Sequence, residues 1–88
     1  MKKLNQFDTL VIDEFEEDQY HLPRHSHTYY EIIYIIKGSG IHQLNKNLIP
    51  YQAGDLFVLS TDDEHYFDIQ ERTRFFFIKF TDTYFNSN

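Results

Sequence analysis

The sequence contains no cysteine and no tryptophan, and only three glycines and two prolines among its 88 residues. Without cysteine the chain has neither a disulfide nor a thiolate metal site, a composition compatible with a reducing compartment. Apolar runs are short, and none approaches the roughly 18 residues of a membrane span. The stretch after Met1 also lacks the apolar segment of a signal peptide. We therefore expect a soluble, cytoplasmic protein with no membrane contact.

Basic residues are scarce as well. Eight Lys and Arg face 14 Asp and Glu, which gives a formal net charge of −6. The basic residues are scattered along the chain and form no stripe, whereas affinity for phosphate requires a concentrated basic footprint. We therefore do not expect this chain to bind DNA by itself.

The chain has the length of one domain, spanning residues 1–88. Nine Phe and seven Tyr supply large apolar side chains for a small core. The β-branched and aromatic residues occur in short runs with turn signals between them, and no helical period is visible before Thr81. This pattern predicts an all-β fold, and a jelly-roll barrel is its economical form because closure removes exposed strand edges.

Alternation and turn signals divide the chain into short strands. The predicted strands cover residues 7–15, 29–37, 41–45, 48–52, 56–60, 66–69 and 74–80. Predicted turns lie at Gly38-Ser39-Gly40, Lys46-Asn47 and Gly54-Asp55. Pro50 marks an edge or short strand, because proline has no amide hydrogen for a central ladder. Strand 56–60 is expected to be buried, residues 61–64 form a loop, and Thr81-Asp82 has the character of a helix start.

Candidate ligands cluster on one strand. Side chains alternate between the two faces of a strand, so residues 25, 27, 29, 31, 33 and 35 share a face if the strand is regular. That face carries His25, His27 and Glu31. Two imidazoles and a carboxylate that converge in this way are able to bind a first-row transition metal. Glu31 lies within an apolar strand, where an unpaired carboxylate is costly, so we expect a partner for it.

These residues carry a family resemblance. The spacing His25-x-His27-x3-Glu31-x6-Gly38 resembles the first cupin motif, and Gly54 and His65 fall where the second motif has its glycine and third histidine. The resemblance implies a cupin-type jelly-roll β-barrel with four ligands for a divalent transition metal (Fe, Mn, Ni or Zn). The implied ligands are His25, His27, Glu31 and His65. The second motif departs from the family pattern, with Ser60 in place of Pro and Asp62 in place of Gly.

A narrower resemblance covers the Glu-Ile-Ile-Tyr, Gly-Ser-Gly and Gly-Asp-Leu-Phe segments and the tail around residues 75–81. These segments are similar to the N-terminal half of AraC-type transcription regulators. The resemblance implies a sensor barrel that holds a small effector, often a sugar. It also implies that this chain is an N-terminal fragment of a longer regulator. DNA would then be bound only by a C-terminal helix-turn-helix part that this chain lacks.

Several alternatives stay open at this point. The polar residues either hold a metal or form a hydrogen-bonded patch that faces the effector. Tyr29 either stacks on a sugar ring or packs in the core. His42 is expected at the surface or behind the direct ligands, with an inward orientation as the alternative, and remains among the candidate ligand-binding residues.

The function and the assembly are also open. A stand-alone cupin metalloenzyme of dioxygenase or isomerase type is the alternative to the sensor. The apolar outer face of strand 29–37 is expected to pack on the other sheet, on a second copy in a homodimer, or on helices outside this chain.

Overall fold

The described part of the chain is built from strands alone. The computed structural model describes residues 10–19, 25–26 and 29–81, with residues 25–26 described by their backbone. The six strands are β1 Leu10–Glu17, β2 His25–Ser26, β3 Tyr30–Leu44, β4 Asn47–Gln52, β5 Leu56–Leu59 and β6 Glu64–Phe80. The all-β prediction is confirmed. Within the described ranges the structure contains no helix that could cross a membrane.

Two long strands, β3 and β6, pair with each other along most of their length and divide the structure into two half-sheets. In the first half-sheet the order is β1, β6, β3, β5, and it uses residues 73–80 of β6 and residues 30–37 of β3. In the second the order is β2, β6, β3, β4, and it uses the other halves of the two long strands. All the ladders are antiparallel. This arrangement is compatible with a jelly roll.

Contacts between aromatic rings show that the two half-sheets face each other. Phe67 of the second half-sheet lies 4.8 Å from Phe75 and 6.3 Å from Phe57 of the first, measured between ring centroids. The buried apolar core is made of Ile33, Ile35, Tyr51, Leu59, Phe67, Phe75 and Phe77. The space between the half-sheets is therefore filled by side chains at the end where β3 and β6 bend.

The predicted turn at Gly38-Ser39-Gly40 is wrong, because β3 runs through these residues without reversing. The β3–β6 register shifts three times between Ile35 and Gly40, which identifies a bulged segment. Gly38 has a φ of 103°, and a Cβ on Gly40 would lie 2.3 Å from the Asp68 carbonyl oxygen. The glycines therefore serve a bend and a close backbone approach.

The chain reverses later, at Asn45-Lys46, where Asn45 has a φ of 56°. The predicted turn at Lys46-Asn47 is thus one residue late, since Asn47 begins β4. Among the described strands β4 pairs only with β3, which agrees with the edge or short strand predicted from Pro50. The turn around Gly54 is also present, with a φ of 97° at that glycine.

The division of residues 66–80 into two strands and the burial of strand 56–60 are both predicted wrongly. Residues 66–69 and 74–80 belong to one strand, β6, because the polar segment between them passes through the bend without leaving the ladder. The predicted buried strand 56–60 is β5, which among the described strands pairs with β3 alone. Leu59 is fully buried, but Val58 is 67 % exposed. The predicted strand 7–15 begins before the first described residue. The residues after Thr81, where a helix start was predicted, also lie outside the described residues.

The outer face of the first half-sheet is apolar and solvent-exposed. Cross-strand rows place Ile12, Ile78, Ile32 and Val58 side by side, and Phe76, Tyr34 and Leu56 in the next row. The prediction that this face of β3 packs on the other sheet is wrong, because the other half-sheet lies on the opposite side. The other two candidates for covering it, a second copy and helices outside this chain, remain.

Candidate functional site

Glu31 lies on the inner face of β3, as the alternation predicts. Only 6 % of its surface is exposed. Its neighbours across the ladders are Leu59 on β5 and Lys79 on β6. A carboxylate buried to this degree requires polar partners, since transfer of an unpaired charge from water to the protein interior is strongly unfavourable.

His65 supplies one such group from the second half-sheet. It lies near the start of β6, it is 1 % exposed, and its Nε2 atom is 3.8 Å from Oε1 of Glu31. The backbone of His25 pairs directly with that of His65 in the β2–β6 ladder. His27 lies outside the described residues. The structure therefore brings two of the four predicted ligands together and places a third on the adjacent strand.

His42 also lies inside. Of the positions considered for it, the surface is wrong and the inward alternative is the one that the structure shows. His42 has no exposed surface. Its ring stacks on Phe67 at 4.0 Å with an interplanar angle of 6°, and its edge meets Phe57 at 4.4 Å. The bulge between Ile35 and Gly40 shifts the alternation by one residue, so even-numbered residues of β3 face inward after it.

The two buried histidines are hydrogen-bonded to each other. His42 Nε2 lies 3.1 Å from Nδ1 of His65. Burial lowers the pKa of His42 from 6.5 to about 4, because the charged imidazolium loses its hydration. His42 is therefore neutral near pH 7, and one ring of the pair donates while the other accepts. Within the described residues Nδ1 of His42 has no hydrogen-bond partner.

Glu31, His65 and His42 thus form a continuous row of polar groups between the half-sheets. We call this row the Glu-His-His row. Beyond His42 the interior is occupied by Phe57, Phe67 and the aromatic core. The polar end of the row lies at Glu31, near the ends of β3 and β6, and we call this end of the structure the mouth. The shallow depressions lined only by described residues lie elsewhere, for example beside Arg72.

Tyr29 and Lys79 also lie at the mouth. The Lys79 ammonium nitrogen is 5.3 Å from the centre of the Tyr29 ring, and Tyr29 is half-buried. Tyr29 was predicted as a candidate from the sequence, whereas Lys79 was not. A signal was present, because Lys79 shares the odd-numbered alternation of Phe75 and Phe77, which face inward.

The donor set at the mouth fits a metal in its chemistry, since a carboxylate and an imidazole are common ligands of divalent transition metals. Within the described residues no group of three or more His, Asp or Glu side chains is placed to hold an ion. The predicted set of four requires His25 and His27, whose side chains are not described. The metal prediction therefore stays a prediction.

A jelly-roll-like pair of half-sheets with polar side chains between them is typical of the cupin fold, and solved structures agree. The fold is similar to a cupin superfamily protein of Desulfitobacterium hafniense, with a TM-score of 0.77, 16 % identity and coverage of 90 % of this chain and 73 % of that one. It is also similar to a cupin protein of Bacteroides fragilis, with a TM-score of 0.75, 21 % identity and coverage of 85 % and 68 %. The predicted cupin-type fold is confirmed.

Within that class, residues 9–86 match the model of the AraC-like ligand binding domain, and the chain belongs to this family. Among curated proteins it is similar to the HTH-type transcriptional activator RhaR of Escherichia coli, with 33 % identity over 55 residues. That match covers 62 % of this chain and 19 % of the relative. The chain thus matches about a fifth of the length of the curated relatives.

Proposed function

We propose that this domain is the effector-sensing part of an AraC-type regulator and that a small polar molecule binds at the mouth, against the Glu-His-His row. The observation that carries the proposal is the burial of Glu31, His65 and His42 in one row inside a family of ligand-binding domains. Polar groups buried together are expected to bind a polar ligand when the apolar core is complete without them.

The chemistry of the row favours a ligand with hydroxyl groups. An ionised Glu31 accepts hydrogen bonds, and His65 is able to donate or accept through Nε2. The Tyr29 ring lies at the mouth, and we propose that it contributes apolar contact to a sugar ring. We therefore propose a hydroxylated small molecule as effector, with sugars as the first class to test. His25 and His27 complete the proposed set of ligand-binding residues.

The test is thermal unfolding in the presence of a panel of sugars and polyols. A ligand that binds only the folded chain stabilises it by RT ln(1 + [L]/Kd), which corresponds to about 2.7 kcal/mol at a hundredfold excess over Kd. We expect saturable stabilisation by at least one compound, and loss of most of it in Glu31→Gln. Asp62→Asn, an exposed carboxylate in a turn, is the matched control. Equal binding by Glu31→Gln and the parent chain would contradict the proposal.

We further propose that effector binding is passed to a DNA-binding helix-turn-helix part outside this chain, in a longer cytoplasmic regulator whose N-terminal portion is residues 1–88. The effector must prefer one conformation of the domain, since equal affinity for two states shifts neither. Reading the gene beyond codon 88 tests this step. A frame that continues into a basic helix-turn-helix region supports it, and a stop codon at that point contradicts it.

Two copies are proposed to pair through the outer face of the first half-sheet. Exposed apolar side chains that share one face of a sheet, as Ile12, Val58 and Leu56 do on this face, are typical of an interaction site. Leu56 and Val58 on β5 are 58 % and 67 % exposed. Val58→Lys should therefore abolish a dimer seen by sedimentation equilibrium, while Asp62→Lys should not. A parent chain that is monomeric at all concentrations would exclude this homodimer.

A metal-dependent cupin enzyme of dioxygenase or isomerase type is the second candidate function. The observation in its favour is the proximity of the Glu31 carboxylate and the His65 imidazole. Glu31, His65, His25 and His27 would hold the ion (Fe, Mn, Ni or Zn), which would supply Lewis-acid chemistry. Metal analysis of purified protein and of His65→Ala tests it. Stoichiometric metal that disappears in the variant supports this function, and equal metal content in both proteins contradicts it.

A further inference from the structure

Lys79 is a cation on the inner face of the first half-sheet. It lies on β6 directly between Val11 of β1 and Glu31 of β3. Its ammonium nitrogen is 4.6 Å from the centre of the Phe77 ring and 5.3 Å from that of Tyr29. Phe77 belongs to the buried core, so the Lys79 side chain lies along the inner face and its charge is held at the mouth by two aromatic rings.

Within the described residues, three cations on the outer surface of the first half-sheet form ion pairs, unlike Lys79. Arg72 and Arg74 contact the carboxylates of β1, and Lys37 lies 3.4 Å from Glu16. They form an exposed ladder of opposite charges across β1, β6 and β3. By contrast, no carboxylate within residues 10–19 and 29–81 lies at ion-pair distance from Lys79.

Glu31 is the nearest carboxylate along the β3–β6 ladder, but it does not balance the charge of Lys79. Its Oε1 atom lies 3.8 Å from His65 Nε2, and it forms no ion pair with Lys79. The mouth therefore contains a half-buried cation beside the Glu-His-His row, which we have proposed as the site for the hydroxyl groups of the effector. A half-buried ammonium group favours a complementary negative charge, and charge-assisted hydrogen bonds are about twice as strong as neutral ones.

We infer that the effector is an acid, and that its anionic group, a carboxylate in the simplest case, binds the Lys79 ammonium while its hydroxyl groups contact the Glu-His-His row. This inference rests on the proposed function and adds the charge of the ligand to it. The Tyr29 and Phe77 rings hold the ammonium in place and limit its hydration. Lys79 then determines specificity, since a neutral ligand of the same shape would leave its charge without a partner.

The test compares acids with neutral partners of similar size. The probes are the sodium salts of galacturonate, gluconate and lactate against galactose, glucitol and propane-1,2-diol, with sodium chloride to match ionic strength. Binding is measured by isothermal titration calorimetry. We expect at least one acid to bind ten times more tightly than its neutral partner, the order of magnitude of one hydrogen bond to a charged group.

Three variants separate charge from shape. Lys79→Met keeps an apolar stem over the rings and should weaken binding of the acid by on the order of tenfold, with no effect on its neutral partner. Lys79→Arg keeps the charge and should retain most of the affinity. Lys46→Met removes an exposed turn cation and should leave binding unchanged.

The outcomes distinguish this inference from the proposed function. Neutral compounds that bind as tightly as the acids, or an acid affinity that Lys79→Met leaves unchanged, would overturn the inference and leave the sensor in place. If none of the six compounds binds saturably to a folded chain, both the inference and the proposed class of effector are contradicted.

Discussion

His42 should make the folded domain sensitive to mild acid. Its imidazole is fully buried, and burial lowers its pKa from 6.5 to about 4. The unfolded chain takes up a proton at this position near pH 6.5, whereas the folded chain resists protonation until about pH 4. Because the unfolded state binds more protons in this window, the pH-dependent contribution of His42 to stability is lost as the pH is lowered through it and changes no further below about pH 4.

The size of the effect follows from the pKa difference. At about 1.36 kcal/mol for each pKa unit, the shift of His42 corresponds to a loss of roughly 3 kcal/mol between pH 7 and pH 4. This is a large part of the roughly 5–15 kcal/mol that stabilises an ordinary domain. The salt-bridged carboxylate of Glu16 takes up its proton at lower pH, because the hydrogen bond from Arg72 holds its pKa below 4.5. Glu16 therefore contributes mainly below pH 4.5, and the difference between the parent and a His42 variant measures the contribution of His42 above that pH.

The assay is urea unfolding at half-unit steps from pH 7 to pH 4. In His42→Phe the ring keeps its place against Phe67, so the variant should fold and should lose about 3 kcal/mol less than the parent over this range. His42→Gln, with no titratable group, is the second variant if His42→Phe is unstable. Parallel stability curves for the parent and both variants would refute the assignment of the acid sensitivity to His42.

The remaining predictions concern the bend and the outer surface, and all are measured by urea unfolding at pH 7. Tyr51→Phe should lower the free energy of unfolding by about 1 kcal/mol, because it removes a buried hydrogen bond of 2.8 Å between Tyr51 and the Thr73 hydroxyl. A double-mutant cycle with Thr73→Val should show coupling between the two residues, and additive losses would contradict this prediction. Gly40→Ala should lower the free energy of unfolding by roughly 1–3 kcal/mol, because the new Cβ has no room beside the Asp68 carbonyl oxygen. The control Ser39→Ala should change it by less than about 0.5 kcal/mol. Similar losses in the two variants would contradict the close approach at Gly40. Arg72→Ala should cost no more than about 1 kcal/mol, since its ion pairs are exposed, and a larger loss would show that the ladder stabilises the fold.

The sequence was sufficient for the features that depend on uninterrupted alternation. The first part of β3 alternates regularly, so Glu31 was correctly placed on the inner face with Ile33 and Ile35. His65 was identified through the resemblance to the second cupin motif, in which Gly54 and His65 match the glycine and the third histidine. The pairing of these residues across two half-sheets follows from the jelly-roll topology, which the family resemblance implied.

The bend of β3 could not be predicted from alternation. A glycine pair with a polar residue between them is a turn signal by composition, and only the ladder with β6 shows that the strand continues. One inserted residue reverses the facing of everything that follows, so alternation could not decide between the surface and inward positions of His42. Without tertiary information, β6 was predicted as two strands separated by its polar segment. For the same reason β5 was predicted to be buried.

Lys79 was missed for a different reason. Lysine within a strand is usually a surface residue, and its inward direction is recognisable only when the alternation of Phe75 and Phe77 is continued through it. The cross-strand partners in the structure make that direction plain, since Lys79 lies opposite the buried Glu31.

The most direct test of the central claim is a titration followed by the ring-nitrogen NMR signals of His65 and His42 in 15N-labelled protein. We predict that the compound that stabilises the domain shifts the signals of both rings saturably, with the same Kd as calorimetry, and leaves the amide of Val58 on the outer face unchanged. Saturable binding that moves Val58 while both histidine rings remain unperturbed would contradict a ligand site at the mouth.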